Sequence, residues 1–433
     1  MTAREAALRT LVACEKQDAW ADGFLKKTLK SAALDGRDAA LATRLTFGVI
    51  QNRMLLDWYI DRFARGKLDV TVRNALRLGA YQMLFLTRVP ASAAVNESVK
   101  LVRKLCKNPG AAGLVNAVLR NIGRSQDSLT PPDDLSIRYS HPQWLTELFV
   151  RRLGEEGARA LLECHNGEVP TAAQVNTCRA SRRQVLDELL AAGVDAREHP
   201  WLEDCLTLSG TGSLEQLEVF QKGEVYIQDA AARLAVRAAA PEPGMRVLDV
   251  CAAPGGKSFA AAIAMEDRGE IISCDIHPHK QTLIQNGAAR LGLTSVHPLT
   301  QNARERVEEW ENAFDVVVAD VPCSGLGIIR KKPDIRYKDP APLAGLPAVQ
   351  RAILDNVCAY VKPGGVLLYS TCTLLERENE GVVRAFVDGH PDFALESMEL
   401  PGPVGAVRDG YVTLWPHLHG TDGFFIAKLR RGT

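Results

Sequence analysis

The sequence predicts an α/β protein whose largest part is a Rossmann-like, doubly wound sheet, preceded by an all-α domain and a small α+β connecting domain. Three observations carry this. Residues 246–258 pass from a β-branched apolar run (Val247, Leu248, Val250) through Pro254, Gly255 and Gly256 into Lys257 and Ser258, which open the apolar stretch 259–265. That order reads as strand, tight turn and helix, the first unit of a doubly wound sheet. Beyond residue 223, strand-like and helix-like runs alternate, which implies parallel pairing through crossover helices. Before residue 124, apolar residues recur three and four apart, as in Ala7-Leu8-Leu11-Val12 and Leu55-Leu56-Tyr59-Ile60-Phe63. The boundaries that follow are 1–128, 129–225 and 226–433.

The front is helical throughout. Leu76 to Leu86 is apolar enough for a buried helix, and Ala111 to Arg120 offers small residues suited to close packing. It is also basic: residues 1–124 hold 21 Lys and Arg against 10 Asp and Glu, leaving 31 against 42 for the rest. A basic front on an acidic body points to a polyanion partner, and RNA is the first choice. No apolar run reaches transmembrane length and the first residues lack a signal peptide's apolar core, so a cytoplasmic protein is expected, with no membrane partner. Ten scattered cysteines without a Cys-x-x-Cys pair or zinc spacing point to reduced thiols and no metal.

Thr130-Pro-Pro-Asp-Asp134 cannot continue a helix and reads as a linker. A second helical stretch then runs from Ser140 to about 165. Val175, residues 183–192 and Thr207-Leu208 suggest short strands around a helix, with Arg179, Arg182, Arg183 and Arg197 as candidate phosphate contacts. From Gly223 the pattern turns regular. A helix over 230–239 is stopped by Pro241 and Pro243. Glu270 to Cys274 forms the second strand, ending at Asp275, and helix 280–291 is capped by Gly292. Ser295 to Leu299 is a weak third strand and Phe314 to Ala319 a strong fourth, ending in Asp320-Val-Pro-Cys-Ser-Gly325. A helix over 346–361 stops at Pro363-Gly-Gly365. Val366 to Ser370 is the fifth strand, running into Thr371-Cys-Thr373. Ligands gather at the C-terminal ends of parallel strands, and Asp249, Asp275, Asp320, Cys323 and Cys372 all fall there.

The glycine turn admits three ligand readings. A P-loop needs glycine at position 251, which is cysteine, although Gly256-Lys257-Ser258 supplies its second half. A dinucleotide site needs Gly-x-Gly-x-x-Gly, which 251–258 lacks. S-adenosyl-L-methionine carries a ribose and no phosphate, so it suits a glycine turn paired with a carboxylate after the second strand. Asp275 holds that position, where it also suits a helix N-cap.

Asp249-Val-Cys-Ala-Ala-Pro-Gly-Gly-Lys-Ser258, Asp320-Val-Pro-Cys-Ser-Gly325 and Ser370-Thr-Cys-Thr373 occur in the order and spacing of another set. They resemble the motifs of the NOL1/NOP2/Sun family of RNA cytosine-C5 methyltransferases. Asp422 to Leu429 fits that family's closing strand, and the front, with its Asn116 to Arg120 ending, resembles a NusB-like RNA-binding domain. The whole arrangement resembles the bacterial branch that modifies small-subunit ribosomal RNA, which implies 16S rRNA, naked or incompletely assembled, as partner. A tRNA-directed enzyme of the same family and a non-catalytic RNA-binding factor are the alternatives. No obligate protein partner is expected.

C5 of cytosine is a poor nucleophile. Thiolate attack at C6 converts the ring to an enamine whose C5 can take a sulfonium methyl group. Both Cys323 and Cys372 stand at the crest, and the residues alone do not rank them. The resemblance implies Cys372 as nucleophile, Cys323 in product release, Asp320 on the cytosine N3 edge and Lys257 orienting the base. It implies a cofactor site of Cys251, Ala252, Ala253, Pro254, Gly255, Gly256, Lys257, Asp275, Asn302 and Asp320. Relatives usually carry Asp where this chain has Asn302, which keeps an acceptor oxygen but loses the charge. Cys251, Cys274 and Cys358 are also expected to serve as core. The cations of Arg330-Lys-Lys-Pro-Asp-Ile-Arg336 are candidates for gripping RNA phosphates.

Overall fold

A computed structural model describes all 433 residues and divides them into two compact units, Met1–Gly167 with Ile329–Lys338, and Glu168–Ile328 with Asp339–Thr433. The first unit is helical, as the sequence predicts. Its helices are α1 (Ala3–Lys16), α2 (Ala21–Ala32), α3 (Gly36–Gln51), α4 (Arg53–Asp61), α5 (Val70–Phe85), α6 (Ala91–Leu105), α7 (Ala111–Arg124), α8 (Leu135–Tyr139) and α9 (Gln143–Asn166). Thr2, Asp35 and Asp69 cap α1, α3 and α5 through their side chains, satisfying backbone N–H groups that have no partner inside the helix. Helix α5 is buried on nearly every side, and Leu76, Leu78 and Ala80 have no exposed surface. Helices α8 and α9, read from the sequence as part of the connector, pack with this unit, α8 against α4 and α9 against α8.

The segment Ile329–Lys338 belongs to this unit too, and it corrects one expectation in part. Of the four cations in 330–336, Arg330 and Arg336 are buried and do not face solvent, while Lys331 and Lys332 stay exposed. Lys332 pairs with Asp22 at 3.3 Å, and Arg336 is fully buried. Asp334 accepts the Ala21 N–H at the start of α2, so the turn carrying Arg336 is held from both chain directions. Arg336 Nη1 donates to Asn166 Oδ1 at 2.9 Å and to the carbonyls of Ser140, Tyr139 and Gln51 at 3.2–3.5 Å. Gln51, Tyr139 and Asn166 are the last residues of α3, α8 and α9. Three helix C-termini, each bearing partial negative charge, therefore converge on one guanidinium. Burial lowers it to about 10, so it stays charged at neutral pH. Beside it, His141 bonds the Tyr139 carbonyl and His165, and burial, then the Arg336 charge, hold its imidazole neutral.

The second unit starts with a four-stranded antiparallel sheet in the order β2-β3-β1-β4, from β1 (Thr171–Val175), β2 (Asp195–Glu198), β3 (Cys205–Ser209) and β4 (Val225–Ile227). Helices α10 (Arg182–Ala191) and α11 (Glu218–Gln221) accompany it, and β4 carries this sheet to residue 227. The arginines proposed as phosphate contacts are engaged locally. Arg179 donates to the Leu291 and Lys222 carbonyls, and Arg182, Arg183 and Arg197 pair with Glu198, Asp187 and Asp195.

The remaining elements are α12 (Ala230–Ala239), β5 (Arg246–Asp249), α13 (Gly256–Ala264), β6 (Glu270–Asp275), α14 (Pro278–Leu291), β7 (Val296–Thr300), β8 (Phe314–Asp320), α15 (Leu346–Val357), β9 (Val361–Thr371), α16 (Glu380–Gly389), β10 (Phe393–Leu395), β11 (Met398–Leu400), β12 (Gly405–Val407), β13 (Tyr411–Leu414), α17 (Pro416–His419) and β14 (Phe424–Arg431). The large sheet runs β10-β14-β9-β8-β5-β6-β7, with β13 also on β14. Strands β9, β8, β5, β6 and β7 are parallel and β14 is antiparallel to β9. Alternate residues face opposite cores. Val316 and Val318 join the core with α12, α13 and α14, while Val317 and Ala319 join that of α15 and α16. Two boundaries differ from expectation. Helix α15 ends at Val357, and Pro363-Gly-Gly365 lies inside β9, where the pairing with β8 shifts register and tolerates a missing N–H.

Replacing Arg336 by Ala leaves three helix ends without their shared donor. Urea denaturation should show a loss of about 3 kcal/mol, the scale of a buried charged group stripped of its partners. Unchanged stability would contradict this role.

Candidate active site

The parallel strands place the sequence-predicted residues together. From β5 the chain continues on one side to β6 and β7, then crosses to β8 on the other, so β5 and β8 form the switch point where such sheets open a crevice. The turn after β5 and the end of β8 meet there. Lys257, in the first turn of α13, donates to Asp320 Oδ2 at 2.6 Å, and its ammonium sits 5.2 Å from the Phe424 ring centre. Asp320 Oδ1 accepts the hydroxyl of Ser370, its register partner on β9. Burial alone would lower the Lys257 ammonium, but the Asp320 charge and hydrogen bond outweigh it and hold the value above the ordinary range. Lys257 is charged and carries the only ammonium hydrogen-bonded to Asp320.

Asp249 ends β5, fully enclosed. Its Oδ2 accepts the Ser258 hydroxyl, which accepts in turn from Ser273. Burial pushes the carboxyl up to about 7, against the opposing pull of Lys257 and Ser258. Gly255 has φ of 109°, and a Cβ there would meet the Phe259 ring at 2.4 Å, so only glycine opens α13 at this point.

The cofactor-site candidates take several positions. Ala252, Ala253, Pro254, Gly255 and Gly256 form the turn before α13, and Cys251 heads it. The Cys251 thiol is raised by burial and by the surrounding Asp249, Asp320 and Asp275 charges, so it is not a reactive thiolate. Cys274 and Cys358 are buried, as expected. Asp275 ends β6, accepts the His277 N–H at 2.9 Å and meets Lys280 at 3.3 Å. Asn302 lies beyond β7, its Oδ1 accepting the Arg304 N–H and its Nδ2 donating to Glu305. Ile276 and Leu299, at the ends of β6 and β7, are about half exposed, at 49% and 42%. A glycine turn, a carboxylate and two exposed apolar side chains fit a ligand carrying a ribose and a flat base.

The cysteines lie on adjacent strand ends. Strand β8 pairs with β9 so that Asp320 faces Ser370, and Cys323 and Cys372 follow within three residues. Their sulfurs are 3.3 Å apart and both are free thiols. The Cys323 thiol is pushed well above its ordinary value, first by its hydrogen bond to Cys372, then by burial and by the Cys372 and Glu378 charges. On the other side, the Lys257 ammonium is stabilised by charge on Cys372. The two thiols therefore stand in unequal surroundings: the hydrogen bond to Cys372 and burial raise Cys323, and Cys372 acts electrostatically on Lys257. Gly327 passes so close to the segment before β14 that an added Cβ would lie 1.8 Å from the Gly423 carbonyl, and its N–H donates to the Cys372 carbonyl.

Sequence reading missed Ser324, Gln350, Ser370, Thr373, Glu378 and Asn379. The signal was the acidic run Glu376-Arg-Glu-Asn-Glu380 just after the second cysteine, of a kind otherwise read as a solvated helix start.

Comparison with known proteins adds three family models. Residues 236–430 match the model of 16S rRNA methyltransferase RsmB/F, residues 1–124 the NusB family, and residues 141–215 the ferredoxin-like domain of RsmF/B-like methyltransferases. The chain is 40% identical to a probable ribosomal RNA small subunit methyltransferase B of Bacillus subtilis, covering 99% of this chain and 98% of that one. It is 34% identical to a protein of the same description from Synechocystis, over 100% of both. Among solved structures, that of PH0851 superposes with a TM-score of 0.82 at 25% identity, covering 100% of this chain and 99% of that one.

The enclosed Asp249 gives a pH signature. Its folded value of about 7 lies above the ordinary 3.8, so folding is least burdened below pH 3.8 and loses stability as pH rises toward about 7. At about 1.4 kcal/mol per unit, Asp249→Asn should gain a few kcal/mol over wild type across that window, read from denaturation curves. A difference independent of pH would contradict this.

Proposed function

The chain belongs to the family of ribosomal RNA small subunit methyltransferase B, and from that premise we propose that it methylates C5 of a cytosine in 16S rRNA with S-adenosyl-L-methionine as donor. The observation that carries this reading is the 3.3 Å sulfur pair at the strand ends, with the Lys257–Asp320 ion pair one strand away. A protein that only bound RNA has no use for two opposed thiols beside a buried ion pair.

The residues divide the work by their surroundings. Cys372, beside the Lys257 cation, supplies the thiolate that bonds C6 of the cytosine. Asp320 and Lys257 face the base's N3 edge, where negative charge develops as C6 is attacked, and the ammonium is the donor that stabilises it. S-adenosyl-L-methionine supplies an electrophilic methyl group to C5. Loss of the C5 proton to a base then restores the ring, as the C6–sulfur bond breaks and its electrons return to Cys372. Cys323, within hydrogen-bond reach of Cys372, donates to the departing sulfur as the C6–sulfur bond breaks. Asp275, Ile276, Leu299 and the turn 251–257 hold the donor, with Asp275 accepting from ribose hydroxyls and the apolar pair covering the base. Asn302, bonded to Glu305, offers its remaining acceptor capacity to the same end. The target base must leave its stack to reach the strand ends, which favours unpaired RNA. The net positive charge of residues 1–124 supports RNA binding by the helical unit.

Incubation with labelled S-adenosylmethionine and naked 16S rRNA should yield 5-methylcytosine at one position. Absence of the product would refute the proposal. Cys323→Ala should accumulate a covalent RNA adduct and Cys372→Ala should form none, while the opposite pattern would exchange their roles.

A further inference from the structure

Neither cysteine turn holds itself in place. Both are tied to two consecutive residues, Glu378 and Asn379, each with no exposed surface. Glu378 Oε2 accepts the Ser324 N–H at 2.9 Å and the Gln350 Nε2 at 3.0 Å. The same Nε2 donates to the Pro322 carbonyl at 3.0 Å. The residues on either side of Cys323 are thus bound, directly or through one amide, to one carboxylate. Asn379 treats the other turn alike. Its Oδ1 accepts the Thr371 hydroxyl at 2.6 Å and its Nδ2 donates to the Thr373 carbonyl at 3.0 Å, bracketing Cys372. A hydroxyl bond of 2.6 Å between Ser324 and Thr373 joins the two turns. Adjacent Cα atoms lie about 3.8 Å apart, so two clamps on neighbouring residues give the cysteines one frame of reference.

We propose that Glu378–Asn379 is the positioning element of the two-cysteine reaction: it sets the sulfur–sulfur separation and the orientation of the two turns that carry Cys323 and Cys372. This deepens the proposed function and rests on its two-thiol chemistry. Asn379 orders the turn that carries the nucleophile, while Glu378 orders and charges the turn that carries the releasing thiol. The ionisable groups acting on the pair are Glu378 and Tyr369 on the Cys323 side, and Lys257, with its partner Asp320, on the Cys372 side. Of these, Glu378 alone joins a negative charge to a hydrogen bond on the Cys323 turn, so it is the residue whose neutral isostere separates charge from shape.

The test uses the full-length protein and two readouts. In a Cys372→Ala background, alkylation of Cys323 by iodoacetamide is followed against pH by mass spectrometry, which needs neither RNA nor methyl donor. Adding Glu378→Gln should move the midpoint down, since the Glu378 charge acts to raise it. In the otherwise native chain, Asn379→Ala should slow RNA adduct formation at least ten-fold without altering the Cys323 midpoint in the alkylation assay. Gln350→Ala frees Pro322 and leaves the carboxylate in place, and it covers the case in which Glu378→Gln does not fold. It should slow adduct release about ten-fold with the midpoint unmoved. An unmoved midpoint in Glu378→Gln, or wild-type rates in both other variants, would overturn the positioning role. A shifted midpoint in a protein whose wild type forms no adduct would instead overturn the reaction assigned above.

Discussion

Two sulfur atoms 3.3 Å apart, delivered by neighbouring parallel strands, are the contact on which the rest of the site depends. The register of β8 against β9 puts Asp320 opposite Ser370, and that pairing fixes how far beyond the sheet each cysteine stands. Chemically alike thiols at this distance cannot share one role. A cation on one side and a carboxylate on the other break the symmetry. The glycines at 255 and 327 serve the same geometry, one admitting a helix N-terminus and the other a close crossing of two turns.

Buried charge is handled in three ways in this molecule. Lys257 is paired with a carboxylate and remains ionised. Asp249 receives a hydroxyl and is pushed toward neutrality. Arg336 is enclosed by the C-termini of three helices, whose dipoles take the place of a counterion. The first solution suits a site where charge must act at once, the second a group that frames it. The third suits a joint, because the guanidinium requires all three helix ends together.

Much of this was legible in the sequence. The strand–turn–helix at 246–258, the alternating elements after it and the helical front follow from periodicity and turn residues, which are local properties. The convergence of Asp249, Asp275, Asp320, Cys323 and Cys372 follows from parallel topology. What was not legible depends on distant partners. Arg330 to Arg336 has the composition of an exposed basic loop, and nothing local marks Arg336 as the member that turns inward. Pro363-Gly-Gly365 reads as a stop, but strand pairing absorbs it. The surroundings of the cysteines are not contained in their spacing: Glu378 binds the turn of Cys323 and Cys372 acts electrostatically on Lys257. Glu378 and Asn379 escaped notice because polar residues at a helix start are ordinarily capping or solvated.

The most direct test of unequal cysteines is to ask which one bonds the base. A 16S rRNA transcript carrying 5-fluorocytidine blocks the final elimination, since fluorine does not leave as a proton does, and the adduct persists in the presence of S-adenosylmethionine. Mapping the cross-linked residue by mass spectrometry should find Cys372, with Cys323 unmodified. A cross-link on Cys323, or none on either sulfur, would contradict the account.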